Sequence, residues 1–213
     1  MFKTRTDAGR RLADLIDDHD LRADVVVAVP RGGLPVGRVV ADSLGVPLGI
    51  VVARKLGAPR NPELAIGAVA SDGTVWLNDR LITELAVEDA WLAERIDAER
   101  RTAAETVERY LGDRSPTDYE GKTVVVVDDG VATGATTIAC LKQVTGAGAE
   151  RVILAVPVGP PDTIERLRGE ADEVICVETP PHFQAVGQFY ESFDQVSDEQ
   201  AKGYLSRDGV RGE

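Results

Sequence analysis

The stretch VVVVDDGVATGATT, residues 124–137, decides the fold. Its unbroken β-branched run reads as a strand buried on both faces. The strand delivers two acids, Asp128 and Asp129, and a turn of Gly, Ala and Thr then leads into a helix over 136–148. In an open α/β sheet, ligands bind at the edge where such strands end. Small residues let backbone N–H groups approach a phosphate, and a helix N-terminus turns its unsatisfied donors and positive dipole end toward it. Carboxylates repel phosphate, so Asp128 and Asp129 suit hydroxyls, or a metal-bound sugar, beside it. The expected ligand is therefore a sugar phosphate. Its hydroxyls fall to Asp128 and Asp129, and its 5′-phosphate to Val131, Ala132, Thr133, Gly134, Ala135, Thr136 and Thr137. A plain strand–turn–helix does not explain two adjacent acids at the end of a buried strand, where desolvation is costly. A Walker loop is ruled out, because its closing GK[ST] is missing.

Further strands and helices alternate around this stretch. ADVVVAVP (23–30) and VPLGIVVAR (46–54) read as buried strands flanking the helix 34–45, which Gly45 closes. Past the motif, RVILAVPV (151–158) and ADEVICVET (171–179) read as strands around the helix 161–169. Leu12, Leu15 and Ile16 fall at helical spacing in 6–19, behind possible caps at Thr6 and Asp7. Ser71-Asp72-Gly73 suggests a hairpin turn between 65–70 and 74–77. The breaker-poor segment 79–111 predicts one long helix or two, with Trp91, Leu92, Ile96, Val107 and Leu111 as packing positions. The fold class is α/β: an open, mostly parallel sheet with helices on both faces. Residues 1–180 form the core, with 79–111 as a helical insertion, and 181–213 form a tail.

Composition limits the partners. The 213 residues hold 36 acids against 24 bases, a net charge of -12, which argues against nucleic acid as the main partner. Nineteen of the bases are Arg and five are Lys; an acidic, Lys-poor surface suits a high-salt cytosol and predicts a halophilic source. No apolar run approaches the roughly 20 residues that span a bilayer. MFKTRTDAGRRLADLIDD lacks the apolar stretch of a signal peptide, so a cytoplasmic protein away from membranes is expected. Cys140 and Cys176 sit in unrelated apolar runs and suggest neither a disulfide framework nor a metal cluster.

Two basic turns answer the acidic one. VPRGGLPVG (29–37) places Arg31, Gly32 and Gly33 between a strand and a helix, and VVARKLGAPRNPE (51–63) ends a strand with Arg54 and Lys55 before a Gly/Pro-rich loop. With VVVVDDGVATGATT, these segments resemble type I phosphoribosyltransferases, above all the widely distributed "predicted phosphoribosyltransferase" group that shares RKLGAPRNPELAIGAV (54–69) and DDGVATGAT. The resemblance covers roughly residues 20–180.

The resemblance implies transfer of 5-phosphoribosyl between phosphoribosyl pyrophosphate (PRPP), bound as its Mg2+ complex, and a nitrogenous base, with pyrophosphate released or consumed. It implies catalytic roles for Arg31, Arg54, Lys55, Asp128 and Asp129. It makes Arg31, Gly32 and Gly33 a pyrophosphate loop, with a cis or strongly strained Pro30–Arg31 peptide and with Gly32 and Gly33 in conformations hard for other residues. A hood covers the base in this family. Here the tail offers Phe183, Phe189 and Tyr190 for that acceptor pocket, and the 79–111 segment suits the hood or a homodimer surface. Ala132 stands where 6-oxopurine enzymes carry an acid, and Ala58 where orotate enzymes carry a lysine, so no particular base is selected. The alternative is a PRPP- or nucleotide-sensing module without catalysis. A phosphate-ester hydrolase is disfavoured because no nucleophile stands at a strand end beside a base.

Overall fold

The computed structural model describes residues 1–112 and 114–206, so Asp113 and the end of the expected tail, 207–213, lie outside the described residues. The first half runs α1 (Arg5–Asp18), β1 (Val25–Ala28), α2 (Gly33–Leu44) and β2 (Leu48–Ile50). Next come β3 (Ala53–Ala58), β4 (Asn61–Ala70), β5 (Val75–Leu77), α3 (Asp79–Glu84) and α4 (Asp89–Leu111). The second half follows as β6 (Thr123–Val127), α5 (Ala135–Gly146), β7 (Arg151–Val158), α6 (Pro161–Leu167), β8 (Glu173–Glu178) and α7 (Asp198–Ser206).

Five strands pair in the order β2-β1-β6-β7-β8, every pair parallel, in an open sheet with helices on both faces. Alternate valines of β6 face opposite ways. Val125 and Val127 join the core built with Leu12, Ile16, Val36 and Val40 of α1 and α2. Val124 and Val126 join Ile138, Leu141 and Ile164 of α5 and α6. That two-sided burial is why the run is continuous rather than alternating. From β1 the chain steps outward to β2, while β6 lies on the opposite side of β1. The sheet's direction of growth thus reverses between β1 and β6, and their ends open a crevice where α/β sheets bind ligands.

Two local readings change. Helix α1 begins one residue before the proposed caps: Thr4 is its N-cap, and its hydroxyl accepts from the Asp7 amide at 3.2 Å. The segment 46–54 is not one strand either. β2 stops at Ile50, and the chain crosses into a separate antiparallel sheet of order β3-β4-β5. There Ala53 pairs with Ala70 and Ala58 with Asn61, so the stretch read as a loop after Lys55 is mostly ladder around a tight turn at Pro59-Arg60. The hairpin around Ser71-Asp72-Gly73 is present, with Ala68 opposite Trp76. The 79–111 segment forms two helices.

The N-terminal residues and the tail around Phe189 meet at the sheet's carboxyl edge. The Phe2 amide donates to the Phe189 carbonyl at 2.7 Å, and the Glu191 amide to the Phe2 carbonyl at 2.8 Å. The Phe2 ring, 0% exposed, lies 5.2 Å from the Tyr190 ring. Phe2→Ala removes that buried ring, and we expect a stability loss of roughly 3–5 kcal/mol in urea unfolding. A loss below about 1 kcal/mol would show that the clasp re-forms without the ring.

Candidate functional site

β1 and β6 pair with Ala28 opposite Val127, so the turn after β1 necessarily abuts the acids after β6. The Val29 amide continues the ladder to the Val127 carbonyl at 2.9 Å. The next peptide, Pro30–Arg31, is cis, as the resemblance implies. Gly32 and Gly33, however, do not hold unusual dihedrals. Gly32 has φ -62° and ψ -36°, and neither glycine has a positive φ. Space is what they supply: a Cβ on Gly32 would run into the Asp129 carboxylate, and one on Gly33 would lie 2.8 Å from the Val127 carbonyl oxygen and 3.0 Å from the Asp128 Cα. The glycine turn is seated directly on the acidic pair.

The acids differ in their surroundings. Asp128 is half-buried, and its Oδ1 accepts the Asp129 amide at 2.8 Å. Asp129 is 9% exposed; its carboxylate accepts the Arg5 Nε–H at 2.7 Å, and its carbonyl accepts the Tyr190 hydroxyl at 2.6 Å. Arg5, from the first turn of α1, also donates to the Asp194 carbonyl at 2.7 Å, and its guanidinium lies 3.8 Å from the centre of the Phe193 ring. No sequence signal marked Arg5, one arginine among nineteen and 124 residues from its partner.

Beyond the acids, Val131 is tied by its amide to the Val158 carbonyl at 2.9 Å. The Ala132 carbonyl accepts the Thr163 hydroxyl at 2.8 Å, and the Thr133 carbonyl accepts the Arg166 guanidinium. With these carbonyls turned toward α6, planar peptides direct the Thr133 and Gly134 N–H groups the other way. Gly134 caps α5 with φ 71°, a left-handed conformation that suits glycine. A Cβ there would lie 3.1 Å from the Thr163 Cγ2, so this glycine fits the loop to α6. Ala132 and Thr133 are exposed, Thr136 is half-buried, and Ala135 and Thr137 are buried. The first amides of α5 lack intrahelical partners.

The structure brings some of the expected bases together and separates others. A cleft of about 480 Å³ is lined by Arg5, Arg31, Gly32, Asp128, Asp129 and Thr136, with Val186, Phe193 and Gln195 from the tail. Arg54 and Lys55 line a neighbouring cleft of about 580 Å³ with Trp91, Arg95 and Glu99, which shares Ala53 and Thr136 with the first. Each base has an acid: Arg31 meets Asp198 at 3.1 Å, Arg54 meets Glu99 at 3.1 Å, and Lys55 meets Glu63 at 3.0 Å. Of the tail aromatics, Phe193 and not the expected trio faces the first cleft. Phe183 packs on Phe189 with ring centres 5.1 Å apart, and Tyr190 lies between Phe2 and Phe193. These rings close the tail onto the cluster around Phe2 and Val158, Tyr190 buried in it and Phe183 and Phe189 partly buried against it.

Burial first, and the Asp129 charge second, push the Asp128 carboxyl well above the usual carboxylate range. Burial raises Asp129 too, against the opposing pull of Arg5. A carboxyl whose folded pKa exceeds its unfolded value of about 3.9 keeps its proton longer in the folded chain. The contribution of such a carboxyl to folded stability then falls as pH rises from about 4 through its folded pKa. We expect that decline in urea titrations of the ligand-free protein. Asp128→Asn should flatten it and be the more stable protein at neutral pH. A variant with the parent's pH slope would show that Asp128 ionises as freely as in the unfolded chain.

Comparison with known proteins fits this geometry. Residues 3–194 match the phosphoribosyl transferase domain family. Two proteins from Mycobacterium tuberculosis strains, CDC 1551 / Oshkosh and ATCC 25618 / H37Rv, each named "Putative phosphoribosyl transferase", are 43% identical over 212 residues. These alignments cover 97% of this chain and 47% of each relative, so the chain spans about half the length of the curated relatives it matches. The crystal structure of TT1426 from Thermus thermophilus superposes with a TM-score of 0.83 at 39% identity, covering 97% of this chain and 98% of that one. With a parallel sheet whose β1 and β6 ends hold the glycine turn against the acidic pair, the chain belongs to the phosphoribosyl transferase domain family.

Proposed function

We propose that this chain transfers a 5-phosphoribosyl group between PRPP and a nitrogenous base, releasing or consuming pyrophosphate. The observation that carries the reading is the seating of Gly32 and Gly33 on Asp129 and Asp128. It sets a turn suited to phosphate beside carboxylates suited to hydroxyls, next to the Gly134 end of α5. In this reading the N–H groups of residues 132–137 and the hydroxyls of Thr136 and Thr137 receive the 5′-phosphate, the Val131 amide being held by the Val158 carbonyl. Asp128 and Asp129 receive the ribose hydroxyls. Arg31 and the 31–33 turn receive the pyrophosphate, and Val186 and Phe193 flank the base.

Departure of pyrophosphate from the anomeric carbon leaves positive charge on the ribose and negative charge on the leaving group, while a base nitrogen supplies the new bonding pair. Arg31, released from Asp198, stabilises the leaving charge, and Asp128 and Asp129 stabilise the cationic sugar. Arg54 and Lys55 act from the adjoining cleft on a substrate that reaches across Thr136. Mg2+ enters as part of the substrate and offsets pyrophosphate charge. Two carboxylates on the cleft, in a chain of net charge -12, suit a ligand arriving as a cation complex.

A second reading, PRPP or nucleotide sensing without turnover, is favoured by the position of Arg54 and Lys55 outside the acidic cleft. One experiment separates the two. The protein is incubated with PRPP, Mg2+ and a panel of bases, and pyrophosphate is measured. Release that depends on one base supports transfer, PRPP binding without release supports sensing, and no PRPP binding overturns both. Asp129→Asn weakens charge-assisted hydrogen bonding, and we expect it to cost PRPP binding roughly 1.5–3 kcal/mol. Gly32→Ala, whose methyl displaces the same carboxylate, should weaken PRPP by roughly tenfold or more. Parental affinity in both variants would make the acids structural.

A further inference from the structure

We propose that Arg5 is a positioning residue for the sugar, holding the Asp129 carboxylate in the orientation that ribose hydroxyls require. The inference deepens the sugar-phosphate reading and rests on it. Arg5 makes three contacts from a fixed base: its Nε–H donates to the Asp129 Oδ2 at 2.7 Å, its Nη1 donates to the Asp194 carbonyl at 2.7 Å, and its guanidinium covers the Phe193 ring at 3.8 Å. The side chains of Arg5 and Asp129 are only 12% and 13% exposed, so this pair is shielded from solvent competition.

Local helix chemistry does not explain the residue. Arg5 is the first residue of α1, where a cation opposes the positive end of the helix dipole. A basic residue that breaks a local preference and is then buried against a carboxylate points to a role at the site. Its anchorage is equally specific. The Thr4 hydroxyl caps the helix by accepting from the Asp7 amide, and Phe2 is clasped to Phe189 and Glu191 of the tail. The residues on either side therefore have little freedom to carry Arg5 elsewhere.

The geometry around Asp129 says what the contact does. Gly32 fills one side of the carboxylate so closely that a Cβ would collide with it, and Arg5 holds Oδ2 from α1. The side chain is held from two directions before any ligand arrives. Asp128, its neighbour, is bonded through Oδ1 to the Asp129 amide, so the second acid is fixed relative to the first. Without Arg5, two adjacent carboxylates would face a phosphate-bearing ligand with no fixed countercharge on α1. With it, one carboxylate carries a matched guanidinium, and the pair presents acceptors without the full repulsion. Arg5 also joins the acid to the tail through Asp194 and Phe193, so the sugar end and the base end of the cleft share one side chain.

The test uses ligands that separate hydroxyl recognition from phosphate recognition. Ribose 5-phosphate and inorganic phosphate are titrated calorimetrically into the parent, Arg5→Met, Arg5→Lys, Asp129→Asn and the Arg5→Met/Asp129→Asn double variant. We expect Arg5→Met to weaken ribose 5-phosphate by roughly tenfold, the scale of one charge-assisted hydrogen bond, and to leave inorganic phosphate within about twofold. Arg5→Lys should recover part of the loss, because it keeps the charge without the planar fork. In the Asp129→Asn background, Arg5→Met should cost almost nothing more, since residues acting through one another are not additive. The double variant removes both charges together, so it remains informative if Arg5→Met alone folds poorly. Equal binding by Arg5→Met and the parent overturns the inference. So does an equal loss for both ligands, or full additivity in the double variant. A parent that binds neither ligand overturns the sugar-phosphate reading, and this inference with it.

Discussion

Two carboxylates at the end of a buried strand are the constraint around which the rest is arranged. Charged groups are costly away from water unless partners stand close. β6 carries its acids to the carboxyl edge, at the one boundary where the sheet changes its direction of growth. There Asp129 finds a guanidinium from α1, a tyrosine hydroxyl for its carbonyl, and a turn with no Cβ to intrude. The N-terminal segment, the turn after β1 and the tail all converge on that point. Their packing is the means by which a core of valines ends in charge.

Electrostatics around the clefts follows a related logic. Arg31, Arg54 and Lys55 each sit beside an acid, from α7, α4 and β4 respectively. Pairs near the surface contribute about 0–1 kcal/mol, so an anion of several charges can take over Arg31 or Lys55 at small cost, whereas Glu99 is buried and, among the described residues, would keep only Arg95 if Arg54 turned away. The Tyr110 hydroxyl also donates to Asp198 at 2.7 Å, and this bond, with Arg31 second, holds the Asp198 carboxyl below the usual range. Asp198 keeps a hydroxyl partner if Arg31 turns to a ligand. A net charge of -12 does not keep bases from collecting locally: Arg5 and Arg31 line one cleft, and Arg54, Lys55 and Arg95 line the next.

The parallel sheet was legible because two-sided burial leaves uninterrupted β-branched runs, and because acids followed by Gly, Ala and Thr occur in a fixed order. What the sequence concealed was either continuous in pattern or distant in number. VPLGIVVAR gives no sign that the chain changes sheets after Ile50, since both halves are apolar. The glycines after Arg31 were expected to hold unusual dihedrals. Their real requirement is the nearness of Asp129, which belongs to another strand. Arg5, Asp198 and the placing of the Phe193 ring at the cleft beside Arg5 depend on contacts across most of the chain, and local spacing carries no trace of them. Phe183, Phe189 and Tyr190 were recognisable as tail aromatics, but which ring faces the cleft is decided by packing around Phe2.

The clasp between the N-terminal segment and the tail has a consequence in time as well as in space. Arg5 and Asp194 are separated by 189 residues, yet they close the same wall of the cleft. The entropic cost of such a closure grows only with the logarithm of its length, so the wall is thermodynamically accessible. Contacts of this sequence separation form slowly, however, and they need the intervening sheet as a template. During synthesis, β1 through β8 can assemble while the cleft still lacks its outer face. The finished wall then arrives with residues 186–198, as one of the last parts of the described chain to be made. A ligand that recognises only the completed cleft favours the clasped form by mass action, and so acts as a late reporter of folding.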